Sequence, residues 1–345
     1  MTDPAPRRQL GVEDYATAVL AGQRGMLARA ITLVESRKPE HAAIAAALIN
    51  RLLPHTGGSI RIGLTGVPGA GKSALIEALG SWLTARGHRV AVLSIDPSST
   101  RSGGSLLGDK TRMTRLSADP NAFIRPSPSG LVLGGTARTT RETMLLCEAA
   151  GYDVVLIETV GVGQSEVSVA GMTDFLVVLM LAGAGDELQG IKRGLLESAD
   201  LIAITKADGD NIAACGRAVT QYTFAMHLLR EPGEPEAAVA MCSAVDGTGL
   251  EHIWEIITER QAERERSGAL ATRRARQNTL WMWALVEERI RARLLAGPAA
   301  GAIERQVRAG RLSPVRGAET ILAALGIDPA PPGPAHPGEE PTGGG

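Results

Sequence analysis

The sequence is short of several things, and each shortage closes off a class of function. It lacks net charge: 36 Lys and Arg stand against 37 Asp and Glu, a balance that argues against nucleic acid or an acidic membrane surface as the main partner. It has only three cysteines, Cys147, Cys215 and Cys242, far apart, with no CxxC pair and no neighbouring histidine cluster. They read as small apolar residues of a reducing compartment, not as a disulfide framework or a metal site. No apolar run is long enough for a bilayer, since the longest, Phe175 to Ala184, is well short of the ~20 residues a spanning helix needs. Met1 to Leu10 are polar and hold no apolar core of a signal peptide. A cytoplasmic protein with no membrane and no nucleic-acid partner is expected, barring a transit peptide removed ahead of this numbering.

What is present is a long α/β pattern. At 345 residues and 44% apolar content, the chain can bury one large α/β core with helical additions. Residues 11–55 read as two helices: Tyr15, Val19, Met26, Ala30 and Val34 recur at helical spacing, Ile44, Leu48 and Leu52 repeat every four, and Pro39 separates the runs. From Ser59 short apolar strands alternate with helices. The strands expected are Ile60–Thr65, Val90–Asp96, Ala122–Arg125, Val154–Thr159, Phe175–Leu181, Leu201–Thr205 and Ala238–Ser243. Most are continuously apolar, as in strands covered on both faces of a parallel sheet. Residues 266–327 return to helix, with Leu280, Trp283, Val286, Ile290 and Leu294 along one stripe that reads first as ordinary core packing. Asp328 to Gly345 is rich in Pro and Gly and is expected to be disordered. The domains expected are therefore residues 1–58, 59–265, 266–327 and a tail, 328–345.

Gly66-Val67-Pro68-Gly69-Ala70-Gly71-Lys72-Ser73, followed by Ala74, fits G-x-x-x-x-G-K-[ST], with a strand leading in and a helix leading out. Glycines let backbone N–H groups curl round a β-phosphate, and the helix N-terminus adds a favourable dipole. Lys72 then bridges the β- and γ-phosphates, and Ser73 turns its hydroxyl to Mg²⁺.

Leu201 to Asp208 is a strand ending in Thr205-Lys206-Ala207-Asp208, a T-K-x-D motif. An aspartate there accepts from both N1–H and the 2-amino group of guanine; adenine offers neither donor. The Lys206 stem can lie over the base plane. Ser243-Ala244-Val245 follows a later strand and has the form of the loop whose N–H groups touch guanine O6. Between these, Val154 to Gly161 reads as a Walker B strand with D-x-x-G written Glu158-Thr-Val-Gly161. Gly161 would sense the γ-phosphate. Glu158 would sit near Mg²⁺ or its waters, the alternative being a cap on the next helix. Asp96 and Asp109 lie in a Gly/Ser-rich loop suited to ordering round Mg²⁺ and phosphate, or serve as plain turn residues.

Three further stretches narrow the class: Asp96-Pro-Ser-Ser-Thr100 with Ser102 to Met113, Glu158 to Glu166, and Ala182-Gly-Ala-Gly-Asp186-Glu187-Leu188-Gln189-Gly190-Ile191-Lys192. Over about residues 10–325 the chain resembles the MeaB/ArgK family of SIMIBI-class GTPases, chaperones of adenosylcobalamin-dependent methylmalonyl-CoA mutase. The resemblance implies a mostly parallel P-loop sheet with helices on both faces, an N-terminal helical extension and a C-terminal helical dimerisation arm. It implies GTP hydrolysis with Lys72, Asp96, Asp109, Glu158 and Gly161 at the chemistry, and Mg²⁺ among Ser73, Asp96, Asp109 and Glu158. Asp96 and Asp109 belong to a first switch and Gly161–Glu166 to a second. A third mobile loop, 182–192, signals to the mutase through Asp186, Glu187, Gln189 and Lys192. The cofactors implied are Mg²⁺ with GTP or GDP, with no cobalamin held by this chain itself. The partners implied are the mutase, through it the adenosyltransferase, and a second copy of the chain. The pattern departs at Thr205, a position often Asn. Two other readings, a kinase or ATPase tied to amino-acid transport and a metal-insertion GTPase, are disfavoured by Asp208 and by the scattered histidines respectively.

Overall fold

A computed structural model of the chain describes residues 10–95, 113–126, 133–159, 165–183, 193–229, 236–296, 298–324 and 326. Seven strands, β1 Ile60–Gly66, β2 Val90–Ile95, β3 Ala122–Arg125, β4 Val154–Thr159, β5 Phe175–Leu181, β6 Leu201–Thr205 and β7 Ala238–Met241, form one sheet in the order β3-β2-β4-β1-β5-β6-β7. Every adjacent pair runs parallel. Four strands have the bounds expected from sequence. The last stops at Met241 instead of Ser243, because Ser243 N turns back to Thr248 O and leaves the ladder.

Helices cover both faces: α1 Val12–Leu20, α2 Arg24–Val34, α3 Pro39–Leu52, α4 Lys72–Thr84, α5 Thr114–Ala118, α6 Leu133–Ala149, α7 Ser165–Ala170, α8 Arg193–Glu197, α9 Ile212–Leu229 and α10 Leu250–Arg266. Strand residues from Ile62 to Ala203 are almost wholly buried, which is why their sequence is apolar at successive positions and not at alternate ones. The N-terminal region holds three helices where two were expected. Gly22, at φ 68, ends the first periodic run, and Pro39 opens the third at its N1 position. Ala30, Ile31, Leu48 and Leu52 share one apolar core with the sheet, so these helices belong to the same compact body as the strands.

The compact units are residues 1–278 and 279–345, dividing within α11 Ala269–Ala296, where the sequence placed a boundary at 265/266. The reason is polar. Arg264 pairs with Asp200, and Arg274 grips the fully buried Asp174 through both carboxylate oxygens, at 2.6 and 2.8 Å. Arg274 also donates to Gly57 O and Ser59 O, and Gln277 donates to Thr173 O at 2.8 Å. These side chains stitch α10 and the first part of α11 to the amino-terminal ends of β1, β5 and β6. The second unit contains the rest of α11, α12 Pro298–Arg308 and α13 Pro314–Ala323. Gly317 lets α12 and α13 cross closely, since a Cβ there would stand 2.9 Å from Val307. Leu280, Trp283, Val286 and Ile290 are exposed and Leu294 is half-buried, so the described residues do not bury the stripe read as core. The expected tail, 328–345, lies outside the described residues.

Candidate nucleotide site

The site lies at the carboxyl ends of the central strands. The chain runs from β1 to β2 and β3 on one side, then from β4 across β1 to β5 on the other, and this reversal beside β1 is where open α/β sheets hold ligands. The loop from β1 to α4 is shaped by glycine. Gly66 (φ 145) passes so close to β5 that a Cβ would lie 2.3 Å from Leu179 O. Gly71 (φ 83) is left-handed immediately before α4. A Cβ on Gly69 or Gly71 would meet no described atom within 4 Å, so both face open space. The first backbone N–H groups of a helix have no partner within it, and here they follow this glycine turn, the arrangement an anionic phosphate takes. Gly63, lower on β1, admits α7: a Cβ there would stand 2.4 Å from Val169.

Lys72 donates to Gly66 O at 2.9 Å and Val67 O at 3.3 Å, so its ammonium is folded into the loop. Ser73 donates to Glu158 Oε1 at 2.9 Å. Glu158, at the end of β4 and 3% exposed, thus takes the P-loop hydroxyl; its role as a cap on the next helix is not what this contact supports. A hydroxyl and a carboxylate meeting beside the phosphate loop are hard oxygen donors, the set Mg²⁺ takes alongside nucleotide phosphates and water. Among the described residues no three His, Cys, Asp or Glu cluster as an all-protein metal cage. Thr159 donates to Thr65 Oγ1 at 3.0 Å in the buried interior, fixing the ends of β4 and β1 together.

The expected base residues converge from two loops. Ser243 donates to Asp208 Oδ2 at 2.6 Å and accepts from Val245 N at 3.1 Å. Asp208 itself is half-buried. Thr205 donates to Ala70 O at 2.7 Å, so the residue that departs from the family pattern ties the base loop to the phosphate loop. Asp208, Lys206, Ala244 and Val245 line a cleft of about 230 Å³ that continues to Gly71 and Ala74 on α4. Base loop and phosphate loop thus share one cavity, a little larger than a nucleoside. A wider depression of about 930 Å³ lies elsewhere, among Glu259, Arg260 and Arg266 on α10.

Residues 27–299 match the family described as methylmalonyl-CoA mutase-associated GTPase MeaB. The chain belongs to this family. GTPase ArgK of Escherichia coli is 49% identical over 276 residues, covering 80% of this chain and 83% of its own. The mitochondrial methylmalonic aciduria type A homolog of Mus musculus is 46% identical, covering 92% and 80%. A crystal structure named as LAO/AO transport system kinase superposes with a TM-score of 0.72 at 37% identity, covering 95% of this chain and 100% of its own. The chain is accordingly a MeaB-family GTPase, converting GTP and water to GDP and phosphate.

The structure thus puts Lys72 and the Ser73–Glu158 pair at the phosphate loop, joins Ser243 to Asp208, and lines the cleft with Thr205, Lys206, Asp208, Ala244 and Val245. Asp96, Asp109, Gly161, Asp186, Glu187, Gln189 and Lys192 lie outside the described residues. Sequence reading passed over Asn211, which donates to Lys206 O, and Cys215, which donates to Thr205 O. The signal available was position: both stand within ten residues of the T-K-x-D motif, Asn211 on the turn that leaves it and Cys215 in the first turn of α9. No helix among the described residues is long and apolar enough to cross a membrane.

Proposed function

We propose that this GTPase serves an adenosylcobalamin-dependent methylmalonyl-CoA mutase, gating the loading of its cofactor and protecting or reactivating it. The observation that carries this reading is the match of residues 27–299 to a family described by its association with that mutase. In the cytoplasm the chain binds Mg²⁺ with GTP or GDP and holds no cobalamin of its own. Ser73 and Glu158 would hold the Mg²⁺, directly or through water, with Asp96 and Asp109 from the first switch, and the ion would supply positive charge to the phosphates during hydrolysis. Lys72 stabilises the γ-phosphate, and the backbone of Gly161 senses its presence. Residues 66–74 wrap the phosphates, while Asp208, Lys206 and the 243–245 loop read guanine. The carboxylate of Asp208, already accepting from one hydroxyl, argues for guanine, whose N1–H and 2-amino group both donate, over adenine, which has an acceptor at N1 and no amino group at C2. That consideration also weighs against an ATP-using kinase of amino-acid transport.

Asp186, Glu187, Gln189 and Lys192 couple nucleotide state to the mutase, and through it to the adenosyltransferase that supplies the cofactor. The exposed stripe of Leu280, Trp283, Val286 and Ile290 supports a homodimer built on the C-terminal helices. Two experiments test the reading. Tagged protein with a non-hydrolysable GTP analogue, or with GDP, is passed through extract; mutase is expected with strength that depends on the nucleotide, and its absence in both states overturns the role. Trp283→Glu with Ile290→Glu is expected to give a monomer in light scattering, and a persisting dimer places the interface elsewhere.

A further inference from the structure

The backbone at Lys206 is the one non-glycine residue with positive φ among the described residues, at φ 59. A side chain in that region is disfavoured by contact with its own carbonyl, so the conformation persists only where its surroundings hold it. Here the Lys206–Ala207 peptide is held from both sides. Ala207 N donates to Cys242 O at 3.0 Å, which attaches one edge to the strand that leads into Ser243. On the other edge Asn211 Nδ2 donates to Lys206 O at 2.8 Å and to Cys215 Sγ at 3.4 Å. The buried Cys215 thiol in turn lies 3.7 Å from Thr205 O and 3.8 Å from Lys206 O. Asn211 must present its nitrogen, because a carbonyl oxygen only accepts. The main chain agrees: Asn211 N donates to Asp208 O at 3.1 Å, closing a tight turn over Asp208.

The consequence is geometric. The direction in which the chain leaves Lys206 fixes where the Asp208 carboxylate points two residues later. Ser243 fixes one oxygen of that carboxylate from the side of β7. On that side Cys242 O holds only the N–H of the peptide before it; its carbonyl is held by Asn211, from α9's entry turn. We infer that Asn211 is a positioning residue for guanine reading: its carboxamide holds the left-handed turn at Lys206 and so aims Asp208 at the N1–H and 2-amino edge of the base. The inference rests on the assignment of Asp208 as the guanine reader. Asn211 touches no ligand; its effect is on which base is preferred, not on the phosphates.

The test compares GDP with inosine diphosphate, which lacks the 2-amino group, by calorimetry on the full chain with Mg²⁺, together with steady-state GTP hydrolysis. Asn211→Ala is expected to weaken GDP about tenfold and inosine diphosphate by only about threefold, the scale of one lost hydrogen bond, so that the ratio narrows. KM for GTP should rise with kcat nearly unchanged. Asn211→Asp keeps the shape but puts acceptors against Lys206 O, and is expected to narrow the ratio at least as much. A wild-type ratio in both variants, even with both nucleotides bound more weakly, overturns the inference and leaves Asn211 a stabilising residue. Asp208→Asn separates the two ideas. If it collapses the ratio while the Asn211 variants do not, only the role of Asn211 falls; if it too keeps the ratio, the base-site reading falls with it.

Discussion

Removal of the Ser243 hydroxyl is the perturbation that most directly interrogates the base site. Ser243 is fully buried, and its oxygen both donates to Asp208 Oδ2 at 2.6 Å and accepts from Val245 N at 3.1 Å. Asp246 N also donates to it, at 3.5 Å, so Ser243→Ala deletes one charge-assisted bond and two neutral ones in a single step. A hydrogen bond to a charged group is worth about 1.5–3 kcal/mol net. Asp208 is only half-buried, so water replaces part of what is lost, and the lower half of that range applies. At about 1.4 kcal/mol per factor of ten, GTP and GDP should both bind roughly ten- to thirtyfold more weakly. The two nucleotides should suffer alike, because the lost contact is to the group that faces the base and not the γ-phosphate. The rate at saturating GTP should hold, since the substitution leaves the contacts of Lys72, Ser73 and Glu158 at the phosphate loop untouched. Calorimetric titration with each nucleotide, with the melting temperature as a control for folding, measures the effect. Unchanged affinity for both in a folded variant would refute the idea that Ser243 holds Asp208 for guanine; loss confined to GTP would refute its placement at the base.

Lys72→Ala should cut GTP hydrolysis by about two orders of magnitude or more while leaving the fold intact, because the ammonium donates to the loop carbonyls of Gly66 and Val67 and is not part of the apolar core; phosphate release at the wild-type rate would contradict its role. Arg274→Ala strands the fully buried Asp174 with a backbone donor, Arg61 N, in place of a guanidinium. The first unit should lose about 3–5 kcal/mol in urea unfolding, and a change below about 1 kcal/mol would show that water replaces the cation. Burial, helped by neighbouring Cys215, pushes the Cys242 thiol from 9.0 up to about 12, and burial also raises Cys147 and Cys215. Native protein at pH 8 should resist thiol reagents that label the unfolded chain at once, and prompt native labelling would count against these environments. Because the folded Cys242 value is the higher, its share of stability is complete below pH 9 and is lost as pH climbs toward about 12, seen as a falling melting temperature.

Local sequence settled much of this molecule. The seven strands were legible because a strand covered on both faces must be apolar at every position, and few other elements carry that pattern in runs of four to seven. The phosphate loop was legible because it is made by consecutive residues whose backbone geometry needs glycine at fixed places. The T-K-x-D and S-A-x segments were legible for the same reason: each is a local loop at a strand end. The helices before Pro39 were misdivided because a single glycine, Gly22, outweighed a helical period that runs through it.

What only the tertiary structure decided are the relations between segments far apart in the chain. Nothing local to Ser73 says that Glu158 will meet its hydroxyl, 85 residues away, or that Thr205 will hold Ala70 across 135. Those contacts exist because parallel strands brought β1, β4 and β6 to one edge of the sheet. The same holds for Arg274, read from sequence as part of a separate arm, whose charge is drawn to the carboxylate of Asp174 at the foot of β5. It holds also for the exposed stripe from Leu280 to Ile290, where a helical period announces an apolar face but not what covers it. Periodicity is a property of neighbours along the chain, whereas burial and ion pairing are properties of neighbours in space, and only packing makes the second from the first.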